Sequence, residues 1–210
     1  LMRSTMTTDV RKKLGARDVL RALGQPKVAV MLALGFASGL PFMLVGNTMG
    51  YWLREGGIEL STIGFLSWVG IAYSMKFLWA PMVDKIDAPV LGRWLGRRRG
   101  WIMLAQLVVA AGLVGMAILR PEGGLVAFGA MALLAAFASA TQDIVVDAWR
   151  IESAEGGEEL ALLSSGYQLG YRAALLVTDA LILIVAAKLG WALSYELMAL
   201  LMTVGLVACW

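Results

Sequence analysis

The residues best suited to do chemistry in this 210-residue chain are charged groups embedded in apolar sequence. In the fourth of its apolar stretches, acidic, basic and hydroxyl side chains recur at i, i+4 and i+3 spacing, which puts them on one stripe of a helix. The stripe comprises Ser139, Asp143, Asp147 and Arg150, with Gln142 beside it. Because ionisable groups are costly inside a membrane, we expect this stripe to face the interior of a helix bundle.

Two cations in other apolar stretches could pair with these carboxylates. Counted from the predicted cytoplasmic ends at about 1.5 Å per residue, Asp143, Lys76 and Arg172 all lie roughly 10–18 Å deep. Together with Asp147 they could form a permanently closed ion-pair network or a proton relay in which one Asp exchanges its partner. Alternatively, Asp147 and Arg150 are interfacial and Lys76 extends to the membrane surface. Asp179 and Glu196 fall near the opposite surface, where water is close.

A kink is predicted near the middle of the first apolar stretch, at Gly39 and Pro41. Proline removes a backbone donor, and a glycine lets a ligand or a neighbouring helix approach the backbone. Kinked helices at this depth are typical of transporter binding sites, although an ordinary helix-packing seam would leave the same pattern. Asn47 adds polar capacity toward the periplasmic side.

A basic run follows the second apolar stretch. Asp84 precedes the sequence Gly-Arg-Arg-Arg-Gly at residues 96–100. Ion pairs between Asp84 and Arg97, Arg98 or Arg99 would form a cytoplasmic gate if they close in one conformation and break in another. The alternative is a run that only sets topology and contacts lipid headgroups.

Six apolar stretches supply the elements that must position these residues. The chain is 60% apolar and 16% charged, with a mean hydropathy of +0.75, whereas soluble domains carry about 25% charged residues. Each stretch is long enough to cross a hydrocarbon core of about 30 Å as a helix. We therefore predict an all-α membrane protein with six transmembrane helices, at Val28–Trp52, Ile63–Val83, Trp101–Leu119, Leu125–Trp149, Leu160–Ala187 and Trp191–Trp210.

The distribution of basic residues predicts the orientation of these helices. Residues 1–27, 84–100 and 150–159 carry thirteen of the eighteen Lys and Arg residues, so we expect all three on the cytoplasmic side. The organisation would be a cytoplasmic arm at 1–27 and a six-helix domain at 28–210. Because the last helix reaches Trp210 without a polar tail, we expect a second helical half to follow, as in two-repeat transporters.

Several classes of protein are excluded by residue type. The chain has no His and a single cysteine, Cys209, which removes His-based triads, His-ligated metal sites and internal disulfides. We expect no metal and no cofactor. The net charge of +3 is explained by orientation and does not indicate nucleic-acid binding. No hydrolase or protease motif is present, and Asp143 and Asp147 lie on one helix, which disfavours an aspartyl protease. We predict that the protein is not an enzyme.

Six ordered blocks carry a family resemblance. Asp84 and the arginine run resemble the loop between helices two and three of the major facilitator superfamily, with stretched spacing. More specifically, the chain resembles the AmpG-type muropeptide permeases of that superfamily at residues Gly35–Pro41, Thr62–Phe65, Lys76–Pro81, Gly96–Trp101, Gln142–Trp149 and Leu169–Arg172. It departs from them in an extended segment, Asp87–Leu95, and in Asp179.

The resemblance implies the N-terminal six-helix half of a secondary transporter in the bacterial inner membrane. It implies proton-driven uptake of anhydromuropeptides, that is GlcNAc-anhydroMurNAc peptides, into the cytoplasm for peptidoglycan recycling and, in some bacteria, β-lactamase induction. The implied partners are this glycopeptide, protons, membrane lipid and a C-terminal half. A transporter of another substrate such as acetyl-CoA remains open, as does a membrane sensor on the same scaffold, since fold does not fix function.

For a disaccharide-peptide substrate, the candidate binding residues offer matching chemistry. Arginine binds carboxylates bidentately, glutamine bonds amides and aromatic rings stack on sugar faces. The residues are Gly39, Pro41, Asn47, Trp68, Tyr73, Gln142, Gln168, Tyr171 and Arg172.

Overall fold

A computed structural model describes residues 24–209, and every regular element in that range is helical. The predicted arm at 1–27 therefore lies almost entirely outside the described residues, as does Trp210. The helices are α1 (Pro26–Leu44), α2 (Asn47–Glu55), α3 (Leu60–Leu66), α4 (Ile71–Met75), α5 (Ala80–Lys85), α6 (Gly92–Leu95), α7 (Arg97–Gly123), α8 (Leu125–Ser153), α9 (Gly157–Leu176), α10 (Ile182–Leu189), α11 (Trp191–Leu201) and α12 (Thr203–Ala208).

Five helical runs are long and apolar enough to cross a membrane. They match five of the six predicted spans, each with somewhat different ends, at Pro26–Glu55, Arg97–Gly123, Leu125–Ser153, Gly157–Leu189 and Trp191–Ala208. This confirms the all-α, multi-pass fold class. It does not confirm a count of six membrane-crossing helices.

The second predicted span, Ile63–Val83, is the one without a continuous helix. The structure divides this stretch, which we call the second segment, into α3, α4 and α5, with 3₁₀ turns at Ser67–Gly70 and Lys76–Leu78. Ser67 Oγ donates to the Ile63 carbonyl at 2.9 Å, a bond that bends helices, and two glycines and Pro81 weaken the helix further. The second segment packs along α8 despite its breaks.

Glycines bring α1 and α9 into close contact. A methyl group added at Gly35 would collide with the Tyr167 carbonyl, and one added at Gly170 would collide with the Leu32 carbonyl. Small residues of this kind let membrane helices approach through their backbones. The structure thus uses the glycine pattern of the first span as a packing seam.

The other long helices pack around α8. α7 and α8 form an antiparallel hairpin with Gly112 against Ala135, and α11 lies on α7. α8 also contacts α1 and the second segment. Because α8 is the shared neighbour of these elements, Ser139 and Gln142 on its polar side are buried, whereas the Asp147 side chain is 44% exposed.

Two helix breaks occur in the first and fourth of these helical runs and are joined to each other. α1 ends three residues after Pro41, and a π-helix occupies Val177–Leu181 between α9 and α10. Thr48 Oγ1 donates to the Thr178 carbonyl at 2.9 Å, and the Tyr195 hydroxyl donates to the Leu44 carbonyl at 2.7 Å. These side chains supply partners for carbonyls at both breaks, as a membrane interior requires.

Candidate functional site

A buried polar cluster lies where α8 meets α1, α9 and the second segment. Gln142 Nε2 of α8 donates to Ser38 Oγ of α1 at 2.9 Å, and both residues are buried. The phenol of Tyr73, from the second segment, lies beside Ser139 of α8. Three elements therefore contribute these polar side chains to one place within an otherwise apolar bundle.

Asp143 is the charged member of this cluster. Its Oδ1 is buried and has no hydrogen-bond partner among the described residues. The hydroxyls of Ser38 and Tyr167 lie near its carboxyl group, and Lys76 and Asp147 are the neighbouring charges. An unpartnered buried carboxylate oxygen costs free energy, so this arrangement favours a bound proton, water or a ligand group at that position.

Asp147 has a partner on its own helix. Its Oδ1 accepts from Arg150 Nη2 at 2.8 Å, and the Arg150 guanidinium lies over the Tyr167 ring, 5.0 Å from its centre. Tyr167 thus contacts Arg150 through its ring and approaches the carboxyl of Asp143 with its hydroxyl.

The two predicted cations occupy different places. Lys76, at the second 3₁₀ turn of the second segment, is half-buried and near Asp143. Arg172 is exposed on α9, as is Gln168 one turn earlier, and within residues 24–209 neither cation has an ion pair within 4.0 Å. The structure therefore brings Lys76 together with Asp143 but leaves Arg172 outside their cluster.

Aromatic side chains connect the polar cluster to a small cavity. The Phe42 and Tyr73 rings meet edge to face at 5.2 Å, and Tyr171 lies 6.3 Å from Phe42 and 6.1 Å from Tyr167. Sequence reasoning did not select Phe42, whose position one residue after Pro41 was the available signal.

The cavity has a volume of about 220 Å³ at the break between α1 and α2. Phe42, Asn47 and Tyr73 line it together with the backbone of the break. It brings two predicted binding residues together. Two others lie elsewhere: Trp68 is exposed and pairs with Phe65, and Gly39 packs against Ala174 in the α1–α9 seam.

At the end of the bundle that holds the α5–α7 loop, Arg98 forms two ion pairs. Its Nη1 donates to Asp84 Oδ1 at 2.6 Å, while Nε and Nη2 donate to the Glu152 carboxylate at 3.1 and 2.5 Å. The Arg98 side chain is 14% exposed. It joins the end of the second segment to the end of α8, whereas Arg97 and Arg99 are exposed.

Glu152 is the residue of this network that sequence reasoning missed. Glu152 lies in the predicted loop 150–159, and its place on the same predicted cytoplasmic side as the arginine run was the available signal. A second ion-pair group lies close by, in which Lys27 contacts Glu159 at 2.9 Å and Glu155 at 3.6 Å. Within residues 24–209, no group of three Asp, Glu, Cys or His residues is arranged to hold a metal ion.

Comparison with known proteins identifies related sequences. The family model described as acetyl-coenzyme A transporter 1 matches residues 27–128. The anhydromuropeptide permease of Escherichia coli K12 is 42% identical over 193 residues, which cover 90% of this chain and 38% of that protein. The putative transporter AmpG 4 of Rickettsia conorii is 34% identical over 176 residues, or 83% of this chain and 42% of that protein.

The similarity extends to other members of the same group. The putative transporter AmpG 1 of Rickettsia bellii is 31% identical over 180 residues, covering 86% of this chain and 44% of that protein. The chain thus spans about two fifths of the length of these relatives.

Proposed function

This chain is a relative of the AmpG-type permeases, and from that kinship we propose that the protein imports anhydromuropeptides across the bacterial inner membrane, driven by protons. The kinship covers 90% of the chain at 42% identity to a protein named anhydromuropeptide permease. Because the relatives are more than twice as long, the proposed transporter includes a second helical half that completes the cavity. The N-terminus and the α5–α7 loop lie in the cytoplasm in this proposal.

The observation that carries the proposal is the unpartnered carboxylate oxygen of Asp143. In a proton-coupled cycle, this carboxyl group binds a proton when the cavity is open to the periplasm and releases it on the cytoplasmic side. Lys76 is a neighbouring opposite charge to this carboxyl group. A carboxyl group with a buried, unpartnered oxygen can respond to substrate binding or to a change of conformation.

Asp147 and Arg172 have separate roles in this mechanism. The ion pair of Asp147 and Arg150 lies at the end of the polar stripe. During the cycle, Asp147 can exchange Arg150 for Lys76 as its partner. Arg172 and Gln168 present donors on the outer face of α9, where they bind the carboxylate and amide groups of the peptide. Such a face is stable in a membrane only if water, substrate or the second half covers it.

The sugar end of the substrate binds at the α1–α2 break. Phe42 and Tyr73 supply ring faces for the hydrophobic side of a pyranose, and Asn47 supplies an amide for its hydroxyls. Pro41 sets the break, and Tyr171 continues the surface toward Asp143, where the buried Gln142 bonds to Ser38.

Arg98 closes the cytoplasmic side. Its bonds to Asp84 and Glu152 tie together the second segment, α7 and α8 in the observed conformation. For the substrate to leave into the cytoplasm, these elements separate and at least one of the bonds breaks. Arg97 and Arg99 attract the anionic surface of the inner leaflet and the departing substrate.

The decisive experiment is uptake of radiolabelled anhydromuropeptide by the full-length protein in proteoliposomes with an imposed pH gradient. We expect gradient-driven accumulation that a protonophore abolishes. Asp143→Asn should lose accumulation yet retain exchange of labelled for unlabelled substrate, because exchange needs no net proton movement. Asp179→Asn, the same change at an exposed position, serves as the matched control.

Competition distinguishes the alternative substrate. The family model that matches residues 27–128 makes acetyl-CoA the second candidate. Excess unlabelled anhydromuropeptide should reduce uptake, and excess acetyl-CoA should not. Accumulation that is equal with and without the protonophore would exclude proton coupling. Uptake of labelled acetyl-CoA without uptake of labelled anhydromuropeptide would exclude the glycopeptide.

A further inference from the structure

The segment between α5 and α7 exposes large apolar side chains that the proposed transport function does not use. Ile86, Val90 and Trp94 are 52%, 78% and 87% exposed. This segment, residues 86–95, contains the extension at Asp87–Leu95 noted in the sequence. Exposed apolar side chains grouped in one short segment indicate a surface that binds a protein, a membrane or a ligand.

The segment is folded against the bundle rather than extended into solvent. A methyl group added at Gly100, in the first turn of α7, would come within 3.0 Å of the Gly92 Cα. Ala88 is buried, and Trp101 Nε1 donates to the Ile86 carbonyl at 2.7 Å. One side of the segment is thus fixed on α7, and its apolar side chains are held on the other.

The backbone conformation of Val90 shows that the exposed side of the segment is maintained despite local strain. Its φ is 64°, a left-handed conformation that is unfavourable for a β-branched residue. Together with Pro89 and the following four-residue helix α6, this turn places Val90 and Trp94 on the outer side.

Basic residues surround the apolar side chains. Lys85, Arg93 and Arg97 are exposed, and none of them has an ion pair within 4.0 Å among residues 24–209. The nearby acids are Asp87 and Asp84, and Asp84 is already paired with Arg98. The segment also lies at the membrane boundary, because α7 begins directly after it and is long and apolar enough to cross a membrane. Tryptophan, aliphatic side chains and cations at that level match an anionic lipid surface.

We infer that segment 86–95 is a membrane-surface anchor that binds anionic phospholipids. Val90 and Trp94 insert between headgroups and the upper acyl chains, and Arg93 and Arg97 bind the lipid phosphates. The anchor is independent of which solute the protein carries. It fixes the start of α7 relative to the lipid surface.

The test uses the full-length protein in a cysteine-free background, with Val90→Cys labelled by the environment-sensitive dye NBD. The protein is placed in nanodiscs of phosphatidylcholine with or without phosphatidylglycerol. Doxyl-labelled lipids report contact with acyl chains, and aqueous iodide reports contact with water. The matched control is Glu155→Cys, in the loop between α8 and α9, whose side chain is 88% exposed.

We expect blue-shifted emission and doxyl quenching at position 90, both stronger with phosphatidylglycerol, and water-like emission at position 155. Arg93→Gln and Arg97→Gln should each lower, by roughly fivefold, the ratio of protein whose segment is inserted in the lipid to protein whose segment is in water, in anionic nanodiscs. Water-like emission with iodide quenching at position 90 in both lipids would overturn the inference. Blue-shifted emission without doxyl quenching would also overturn it, since protein would then cover the segment.

Quenching that does not depend on the lipid composition would also contradict the inference. Doxyl quenching that is the same in both nanodiscs and in the arginine variants would refute phosphate binding. Because none of these measurements involves transport, their outcome is separate from that of the uptake experiment.

Discussion

The side-chain amide of Gln142 on α8 donates a hydrogen bond to the hydroxyl of Ser38 on α1, over 2.9 Å and with both residues buried. This bond joins the helix that carries Asp143 to the helix that carries the Pro41 break. A change in the spacing of the two helices would therefore alter the surroundings of the Asp143 carboxyl. The bond therefore links the helix of the candidate proton site to the helix of the candidate sugar cavity.

Removing either partner of this bond should destabilise the protein by a similar amount. Ser38→Ala and Gln142→Leu are each expected to lower the free energy of unfolding by about 1 kcal/mol, a usual size for hydrogen bonds between membrane helices. The double variant should cost about as much as either single one. Unfolding of the full-length protein in detergent measures this, with the exposed Ser165→Ala as control; additive losses would show that the two side chains do not interact.

Replacing Arg98 should have a larger effect on conformation than replacing its neighbours. Arg98→Gln removes the bonds to both Asp84 and Glu152 and should therefore shift the equilibrium between the closed and open conformations. A shift of about 1.4 kcal/mol would change the ratio of their populations tenfold. Arg97→Gln, one residue earlier and exposed, is the matched control.

The measurement is the labelling rate of a cysteine placed on the cytoplasmic side of the cavity, compared between these variants. We expect faster labelling in Arg98→Gln, and the charge exchange Asp84→Arg with Arg98→Asp should partly restore the slow rate. Equal labelling in the Arg98→Gln and Arg97→Gln variants would remove Arg98 from the gate.

The α1–α9 seam should not tolerate even a methyl group. Gly170→Ala places a Cβ against the Leu32 carbonyl, so we expect separation of the two helices and loss of monodisperse protein on gel filtration. Gly64→Ala is the matched control, because nothing lies within 4 Å of the added Cβ and alanine favours the helix. Normal behaviour of Gly170→Ala would mean that the helices are farther apart than the structure shows.

The bond across the two helix breaks should stabilise both of them. Thr48→Val keeps the shape of the side chain but leaves the Thr178 carbonyl without its 2.9 Å donor, and we expect a loss of about 1–2 kcal/mol. Thr203→Val, at an exposed threonine whose hydroxyl donates to the Leu200 carbonyl three residues earlier, is the control. Hydrogen exchange should increase around residues 177–181, and unchanged exchange there would contradict a role for Thr48 in holding the π-helix.

The sequence by itself determined the elements and part of the site. Hydropathy depends only on local composition, so the apolar runs predicted six helices. Five of them are of membrane length in the structure, and one of these begins at Trp191, as predicted. Helical spacing placed Asp143 on a stripe facing the bundle. The second segment was predicted as one helix, because hydropathy does not register the Ser67 bond and the glycines that divide it.

Only the tertiary structure decided how the helices are rotated about their axes and which charges meet. Close packing at Gly35 and Gly170 sets the rotation of α9, which places Tyr167 beside Asp143 and leaves Arg172 on the outside. Likewise, Arg98 pairs with Glu152, a residue 54 positions away, through the packing of α7 on α8. Such contacts depend on side-chain fit between helices, which the periodicity of a single helix does not contain.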